Sequence, residues 1–407
     1  MPAVNLYFQV HQPHRLRRYS VFDAAPNYFD EAANEQILRK VAAKCYLPAT
    51  RILLDQVRRH AGDFRLAFSL TGCVVDQLRR HAPDVIDNFR KLAQTGCVEF
   101  LAETYDHSLA SLYSPAEFRS QIDRHTELID DLFGQTPVVF RNTELIYNNA
   151  LTDMIDQGDR FRGVLTEGAD QVTAGRSPNF VYAAPTGLPV LLKNYRLSDD
   201  IAFRFTRSGS PGQPLTAGRF ARQIAALENE SLGGERGAQV CNLFMDFETF
   251  GEHHWKDTGI FDFLAELPGA VLAADQRFLT PRESLDEFDP VDTFDCPQVI
   301  SWADRERDLS AWAGNAMQSS ALGELFRLRD DAMLCPDPQA YRDWRRLSTS
   351  DHFYYMCTKA YDDGNVHQYF SPYESPYDSY INFMNVLDNL RARTQIENMS
   401  AASTGAE

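Results

Sequence analysis

The sequence predicts an α/β fold, a barrel-like domain of repeated βα units followed by a helical region. Three observations predict it. Short apolar segments alternate with amphipathic ones through the first two-thirds of the 407 residues, the pattern of strands joined by crossover helices. The segment VCNLFMDF (240–247) is nearly all apolar, as a strand buried on both faces must be. Beyond about Asp295 the strand signal fades and helix-start grammar takes over.

Eight segments read as strands: 4–11, 64–72, 97–103, 138–140, 163–166, 190–194, 240–247 and 277–279. Between them Ser114-Pro115-Ala116-Glu117 marks a helix start, with a capping hydroxyl, a proline at the first helical position and a carboxylate at the third. That helix should run to about Phe133 and stop at Gly134. Thr280-Pro281-Arg282-Glu283 and Ser375-Pro376-Tyr377-Asp378 repeat the grammar, and Asp337-Pro338 does so without the downstream carboxylate. In the last part, 308–333, 337–347, 348–361 and 376–394 read as helices. The expected division is a barrel domain over 1–295, a helical region over 296–396 packed on it, and a frayed tail over 397–407. Trp302, Trp312 and Trp344 need burial, which argues for that packing. The Gly- and Pro-rich stretch 208–218 is expected to lie over one end of the barrel.

Composition narrows the function. A net charge of -17 offers no excess of cations to neutralise phosphates, which disfavours a nucleic-acid partner. No run approaches the apolar length of a membrane span. The first residues read as a strand rather than a signal peptide, so the expected compartment is the cytoplasm. Seven scattered cysteines without a CxxC pair point to buried small hydrophobes, not to a disulfide framework or structural zinc.

In a barrel, polar residues at the carboxyl ends of strands are the candidates for chemistry. That criterion selects His11 with Gln12, Glu99 with Glu103, Glu144, and Asp246 with Glu248, followed closely by His253 and His254. Two converging carboxylates can cleave a glycosidic bond, one attacking the anomeric carbon or activating water, the other protonating the leaving oxygen. Spacing alone does not say which pair does so. It also leaves open a metal-dependent hydrolase of the sugar-deacetylase or mannosidase kind, with His11, His14, Asp246, His253 and His254 as ligands.

Five segments taken in order resemble the sequence regions of glycoside hydrolase family 57: VHQPHRL (10–16), GCVEFLAETYDHSL (96–109), FRNTELIYNN (140–149), LFMDFETFGEHHW (243–255) and FLTPRESL (278–285). The stretches SWADRERDLSAWAGNAMQ and LSTSDHFYYM resemble the compact α-amylase-like branch of that family. The resemblance implies an incomplete (β/α)7 barrel with a helical segment behind it. It also implies retaining chemistry on α-glucans, with Glu144 as nucleophile and Asp246 as general acid/base, and no metal or organic cofactor.

By the same resemblance His11 corresponds to a sugar-contacting histidine, and Glu99 and Glu283 occupy glutamate positions of the second and fifth segments. Glu283 has a simpler reading as a capping-box carboxylate. Gln12, Tyr105, His107, Arg141, Glu248, His253 and Trp255 are placed around the sugar-binding site, with Arg141 the local cation that would keep Glu144 ionised. Hydrolysis, 4-α-glucanotransfer and branching share one covalent intermediate, and the compact length favours hydrolysis of an α-glucan or maltooligosaccharide. A non-catalytic carbohydrate-binding homologue is the remaining alternative, against which both carboxylates stand. Oligomeric state is not legible.

Overall fold

The computed structural model describes residues 1–155, 160–206, 215–359 and 371–404. Seven strands build the barrel: β1 (Ala3–Val10), β2 (Leu66–Leu70), β3 (Val98–Phe100), β4 (Val139–Arg141), β5 (Gly163–Glu167), β6 (Pro189–Lys193) and β7 (Val240–Asp246). β1 lies between β7 and β2, β2 pairs with β3, β4 with β5, and β5 with β6, every ladder being parallel. β3 joins β4 through one parallel bridge, Ala102 to Phe140. β1 is buried along its whole length, which explains its lack of polar alternation.

The ring does not close by a ladder between β6 and β7. Two side-chain bonds and one backbone bond bridge that seam instead. Asn242 Nδ2 donates to the Leu192 carbonyl at 2.8 Å, Asn194 N–H donates to the Asn242 carbonyl at 2.9 Å, and Phe244 N–H reaches Ser198 Oγ at 3.2 Å. The fold is therefore an incomplete (β/α)7 barrel. Its interior is filled by Tyr7, Ala67, Leu101, Val139, Leu165, Leu191, Val240 and Phe244. Strand 277–279 shrinks to Arg277–Phe278, pairing only with the first residues of β1. It leads into helix Pro281–Glu287, which plugs the amino-terminal end of the barrel: Ser284 Oγ donates to Asn5 Oδ1 at 2.8 Å, and Asn5 Nδ2 to Asn242 Oδ1 at 2.7 Å.

Helix starts fall where the sequence puts them. Helix Pro115–Phe133 is capped by Ser114 and ends at Gly134, whose φ of 67° suits a residue without Cβ. Thr280 and Glu283 form a complete capping box. Four short strands among the described residues escape the sequence reading, Val181–Ala183, Asp292–Thr293 and the pair Ser231–Leu232 and Glu235–Arg236, being too short to show a period.

The expected helix 308–333 is broken into Ser310–Ala313, Ala316–Arg327 and Arg329–Leu334. Asn315 causes the first break, its side chain and Gln318 forming a capping box that starts a new helix. Within 348–361 the described helix is only Asp351–Tyr354. Helix Pro376–Thr404 reaches into the segment read as a tail. Of the stretch 208–218, residues to 214 lie outside the described residues, and the remainder opens helix Ala217–Ala225.

Trp312 and Trp344 sit in the core of the helical region, which also takes in Leu16, Tyr19, Tyr28 and Phe29 from the loop after β1. Trp302 does not join them; it packs on the barrel interior. Tyr19 N–H donates to Asn382 Oδ1 at 2.6 Å and Tyr28 hydroxyl to Asn389 Oδ1 at 2.8 Å, so the region is fastened over the carboxyl end of the barrel. No helix among the described residues is long and apolar enough to cross a membrane.

Replacing Asn242 by leucine keeps the branched shape of the side chain but removes its bonds to the Leu192 carbonyl and the Asn5 amide. Each buried group left unsatisfied costs about 1–3 kcal/mol. Chemical denaturation should show a lower unfolding midpoint by that order; an unchanged midpoint would mean the seam is not closed by Asn242.

Candidate active site

The polar interior begins halfway up the barrel. Tyr7 hydroxyl meets Ser69 Oγ at 2.6 Å, and both reach Gln9 Oε1 at 3.0 Å. Gln9 Nε2 then donates to both oxygens of Glu103, at 3.3 and 3.2 Å. Glu103 is fully buried and also faces Arg141 Nη1 at 3.7 Å and His107 Nδ1 at 3.5 Å. Burial pushes the Glu103 carboxyl up, but His107, Arg141 and His125 outweigh it and bring it to about 2. Burial depresses His107, yet its contacts with Glu103 and Glu144 raise it to about 9. His107 is therefore a cation held between two carboxylates.

Glu144 lies just past β4, in a short 3₁₀ turn where its φ is 56° and that of Leu145 is 50°. Left-handed non-glycine backbone costs about 1–3 kcal/mol per residue and persists only where its surroundings fix it. Here they do. Trp302 N–H donates to the Glu144 carbonyl at 3.2 Å, Trp302 Nε1 donates to Oε2 at 2.6 Å, and His107 Nε2 donates to Oε1 at 3.0 Å. Ser350 Oγ adds a longer contact to Oε1 at 3.4 Å. His107 is itself left-handed, with φ of 51°. Burial pushes the Glu144 carboxyl up; the His107 hydrogen bond and charge, Arg141 and the indole N–H hold it below the ordinary carboxylate range.

Asp246 ends β7, its Cα in register with Gln9. Burial and then the charge on Glu144 raise it to about 6, against the pull of Arg141, Lys193 and His107. Two carboxyls that feel each other's charge thus differ in protonation, one ionised and one neutral in mildly acidic solution. Glu248 is raised further, to about 8, by burial and the charge of Asp246. It accepts from the Tyr46 hydroxyl and from His11 N–H at 3.4 Å. Tyr46 is brought there by a π-helical turn, Ala42–Tyr46, the kind of helix irregularity that recurs at functional sites.

Arg141 is fully buried and its guanidinium nitrogens make no hydrogen bond within the described residues. Its guanidinium stands 5.0 Å from the centre of the Trp302 ring, and Lys193 Nζ stands 5.2 Å from the same ring. The indole is thus flanked by two cations. His11 stacks on His107 with ring centres 4.1 Å apart and bonds Thr71 and Asp351, both at 2.9 Å.

Of the residues chosen from sequence, Glu144, Asp246, His11, His107, Arg141 and Glu248 come together. Glu99 does not. It sits at the opposite end of the barrel, where it accepts from Arg282 N–H at 2.9 Å and belongs to the plug. The GCVE segment starts its strand, so its glutamate falls at the wrong end for a substrate contact. Glu103, at the far end of the same segment, is the carboxylate that reaches the site.

Glu283 is a helix cap paired with Arg65 at 2.9 Å. Tyr105 turns outward, bonded to Asp76 at 3.0 Å beneath Arg124. Gln12 is taken by Arg15 at 3.1 Å. Trp255 is 62% exposed beside Lys44, 5.4 Å from the ring centre. His253 is lowered to about 4 by burial and His254, and its backbone bonds Glu248.

Sequence reasoning passed over Trp302, Lys193, Glu167, Ser350 and Asp351. Trp302, Ser350 and Asp351 come from the SWADRERDL and LSTSDHFYY stretches, which carry no strand-end signal. The set considered for a metal disperses: His14 packs on Phe29 and His254 bonds the Ala202 carbonyl. Among the described residues no three His, Cys, Asp or Glu side chains form a metal-binding group.

A barrel mouth with one ionised and one neutral carboxyl, set around a buried guanidinium, is equipped for glycosidic-bond chemistry. The chain belongs to glycosyl hydrolase family 57, whose family model matches residues 5–297. It is 38% identical over 400 residues to a Methanocaldococcus jannaschii protein named "Putative alpha-amylase", covering 94% of this chain and 83% of that one. Two solved structures share the fold at low identity. A Pyrococcus horikoshii branching enzyme superposes with a TM-score of 0.69 at 14% identity, over 97% of this chain and 95% of its own. The Thermotoga maritima α-amylase AmyC gives 0.60 at 13%, over 98% and 97%. The enzyme is a glycoside hydrolase.

Replacing Trp302 by phenylalanine keeps the ring and removes the N–H. A hydrogen bond to a charged group contributes about 1.5–3 kcal/mol, so Glu144 should protonate more readily. The expected outcome is an approximately tenfold loss of kcat/KM at pH 4, with a smaller loss at the optimum. An unchanged profile would show that the indole does not support the Glu144 charge.

Proposed function

We propose that the protein is a retaining, α-amylase-type hydrolase of α-1,4-glucans, with Glu144 as nucleophile and Asp246 as general acid/base. The observation that carries this reading is the placement of the two carboxyls: Glu144 is held just past β4 by the His107 and Trp302 donors, and Asp246 ends β7 within reach of its charge. Glu144 attacks the anomeric carbon while Asp246 gives its proton to the departing glycosidic oxygen. The bond to the leaving sugar breaks as the ester to Glu144 forms. Esterification removes the negative charge of Glu144, one of the two causes that raise Asp246. Asp246 is then a carboxylate of lower pKa, suited to take a proton from the incoming water. Attack of that water from the side the leaving group vacated restores the original configuration.

His107 and Arg141 hold Glu144 as a carboxylate, so the positive charge that develops on the sugar ring is met by an anion already in place. His11, neutral through burial and the neighbouring His107 charge, and Asp351 at the mouth are suited to sugar hydroxyls. The α-glucan substrate and the preference for water over a sugar acceptor rest on the relative named as an α-amylase. All seven cysteines are free and buried, which supports a reducing compartment such as the cytoplasm.

Purified enzyme on maltoheptaose and soluble starch should give shorter maltooligosaccharides whose new reducing ends are α, seen by proton NMR before mutarotation. Products longer than the input would replace hydrolysis by glucanotransfer. Glu144→Gln should give no product, and Asp246→Asn should lose about 10²–10⁴-fold. Full activity in Glu144→Gln would end the double-displacement reading.

The pH profile has its sign fixed by the two groups. Glu144, lowered, must be ionised, so activity rises as pH climbs through its value below 4.5. Asp246 must be protonated, so kcat/KM falls as pH passes about 6. A bell with its alkaline limb near 6 is expected; a limb that stays flat to pH 9 would remove Asp246 from the acid role.

A further inference from the structure

The segment 301–309 crosses from the helical region to the barrel mouth and is closed on itself. Ser301 N–H donates to the Arg307 carbonyl at 3.1 Å, and Ser301 Oγ donates to the Asp308 carbonyl at 2.7 Å. Asp304 and Arg307 both have left-handed backbone, with φ of 56° and 49°. Such a loop keeps its shape only if its ends and tips are tied down.

One tip carries Trp302 onto Glu144. The other carries Arg307 into the wall of the barrel. Arg307 Nη1 lies 3.2 Å from Glu167 Oε2 and Nη2 lies 3.9 Å from Asp199 Oδ2. The guanidinium also covers the Tyr195 ring at 3.9 Å. Glu167, the last residue of β5, is completely buried; burial pushes its carboxyl up, and Lys193 at 3.5 Å and Arg307 pull against that shift. Lys193 in turn flanks the Trp302 ring. A buried ion pair fixes geometry strongly, because breaking it leaves an uncompensated charge.

We propose that Arg307 is a positioning residue for Glu144. Its ion pair with Glu167 pins the 301–309 segment across the barrel mouth and so holds the Trp302 N–H on the Glu144 carboxylate. Arg307 touches no reacting atom. The groups that do face Glu144 are His107 beyond β3, Arg141 on β4, Asp246 on β7, and Ser350, Tyr354 and Trp302 from the helical region. Of these, only Trp302 is carried by the segment that Arg307 pins. This inference rests on Glu144 being the nucleophile.

The test compares pH profiles of kcat/KM for Arg307→Met, Trp302→Phe and the double variant, with Arg307→Lys as the conservative control. Arg307→Met should copy Trp302→Phe, its acidic limb moving to higher pH by the same amount. The double variant should lose no more at pH 4 than either alone, because both act on one hydrogen bond. Arg307→Lys should recover part of the acidic activity. Additive losses would mean that Arg307 acts only through its charge, and an unshifted profile would make it merely structural; either result overturns the proposal. Should Arg307→Met not fold, Glu167→Gln weakens the same ion pair from the other side and is read by the same criterion. Activity surviving in Glu144→Gln would instead sink the nucleophile assignment, a separate failure.

Discussion

The site depends on one buried carboxylate that does not itself face the sugar. Glu103 is completely enclosed by Gln9, Arg141, His107 and His125. A charge in that position is expensive unless cations and donors surround it, and the barrel interior supplies them. Its presence keeps His107 protonated, and a protonated His107 keeps Glu144 ionised. The Glu144 charge then helps keep Asp246 neutral. The opposite protonation of the two mouth carboxyls is therefore the far end of a chain of alternating charges that starts in the barrel wall.

That chain would be idle if Glu144 were free to turn. Its position is fixed by left-handed backbone at Glu144 and Leu145, which an isolated turn would abandon. Both ends of the fixing lie outside the barrel's own ladders, in Trp302 and Ser350 of the helical region. A division of the chain near residue 295 thus separates two kinds of secondary structure but cuts through the site. The helical region supplies an indole, a hydroxyl and the Asp351 carboxylate, and its core grips the loop after β1 that carries His11.

The strands were legible because burial on both faces leaves an apolar run, and the helix starts because a cap, a proline and a gap are local signals. The position of Glu144 and Asp246 at one end of the barrel was legible for a related reason: Asp246 ends an apolar strand and Glu144 comes just past one. Glu99 misled because 97–103 reads as one strand; the strand is only Val98–Phe100, so Glu99 lies within its opening residues and Glu103 comes after its end. Glu99 and Glu103 point into the same barrel, one to the plug and the other to the mouth. Trp302 was legible only as something to bury. Its role depends on a contact with Glu144 across 158 positions of sequence, which no local pattern encodes.

The open seam between β6 and β7 connects these points. A continuous ladder there would leave the end of β6 paired to backbone. With the seam bridged by Asn242 and Ser198 instead, the chain after Lys193 turns directly into helix Tyr195–Ala202. That turn brings Asp199 and Tyr195 beside Lys193 and Glu167. The resulting pocket of two carboxylates, a lysine and an aromatic ring is what receives Arg307. The missing strand pairing is therefore tied to the site: it creates the anchor on the barrel wall for a segment that the barrel's own loops do not provide, and that segment carries the Trp302 donor to Glu144.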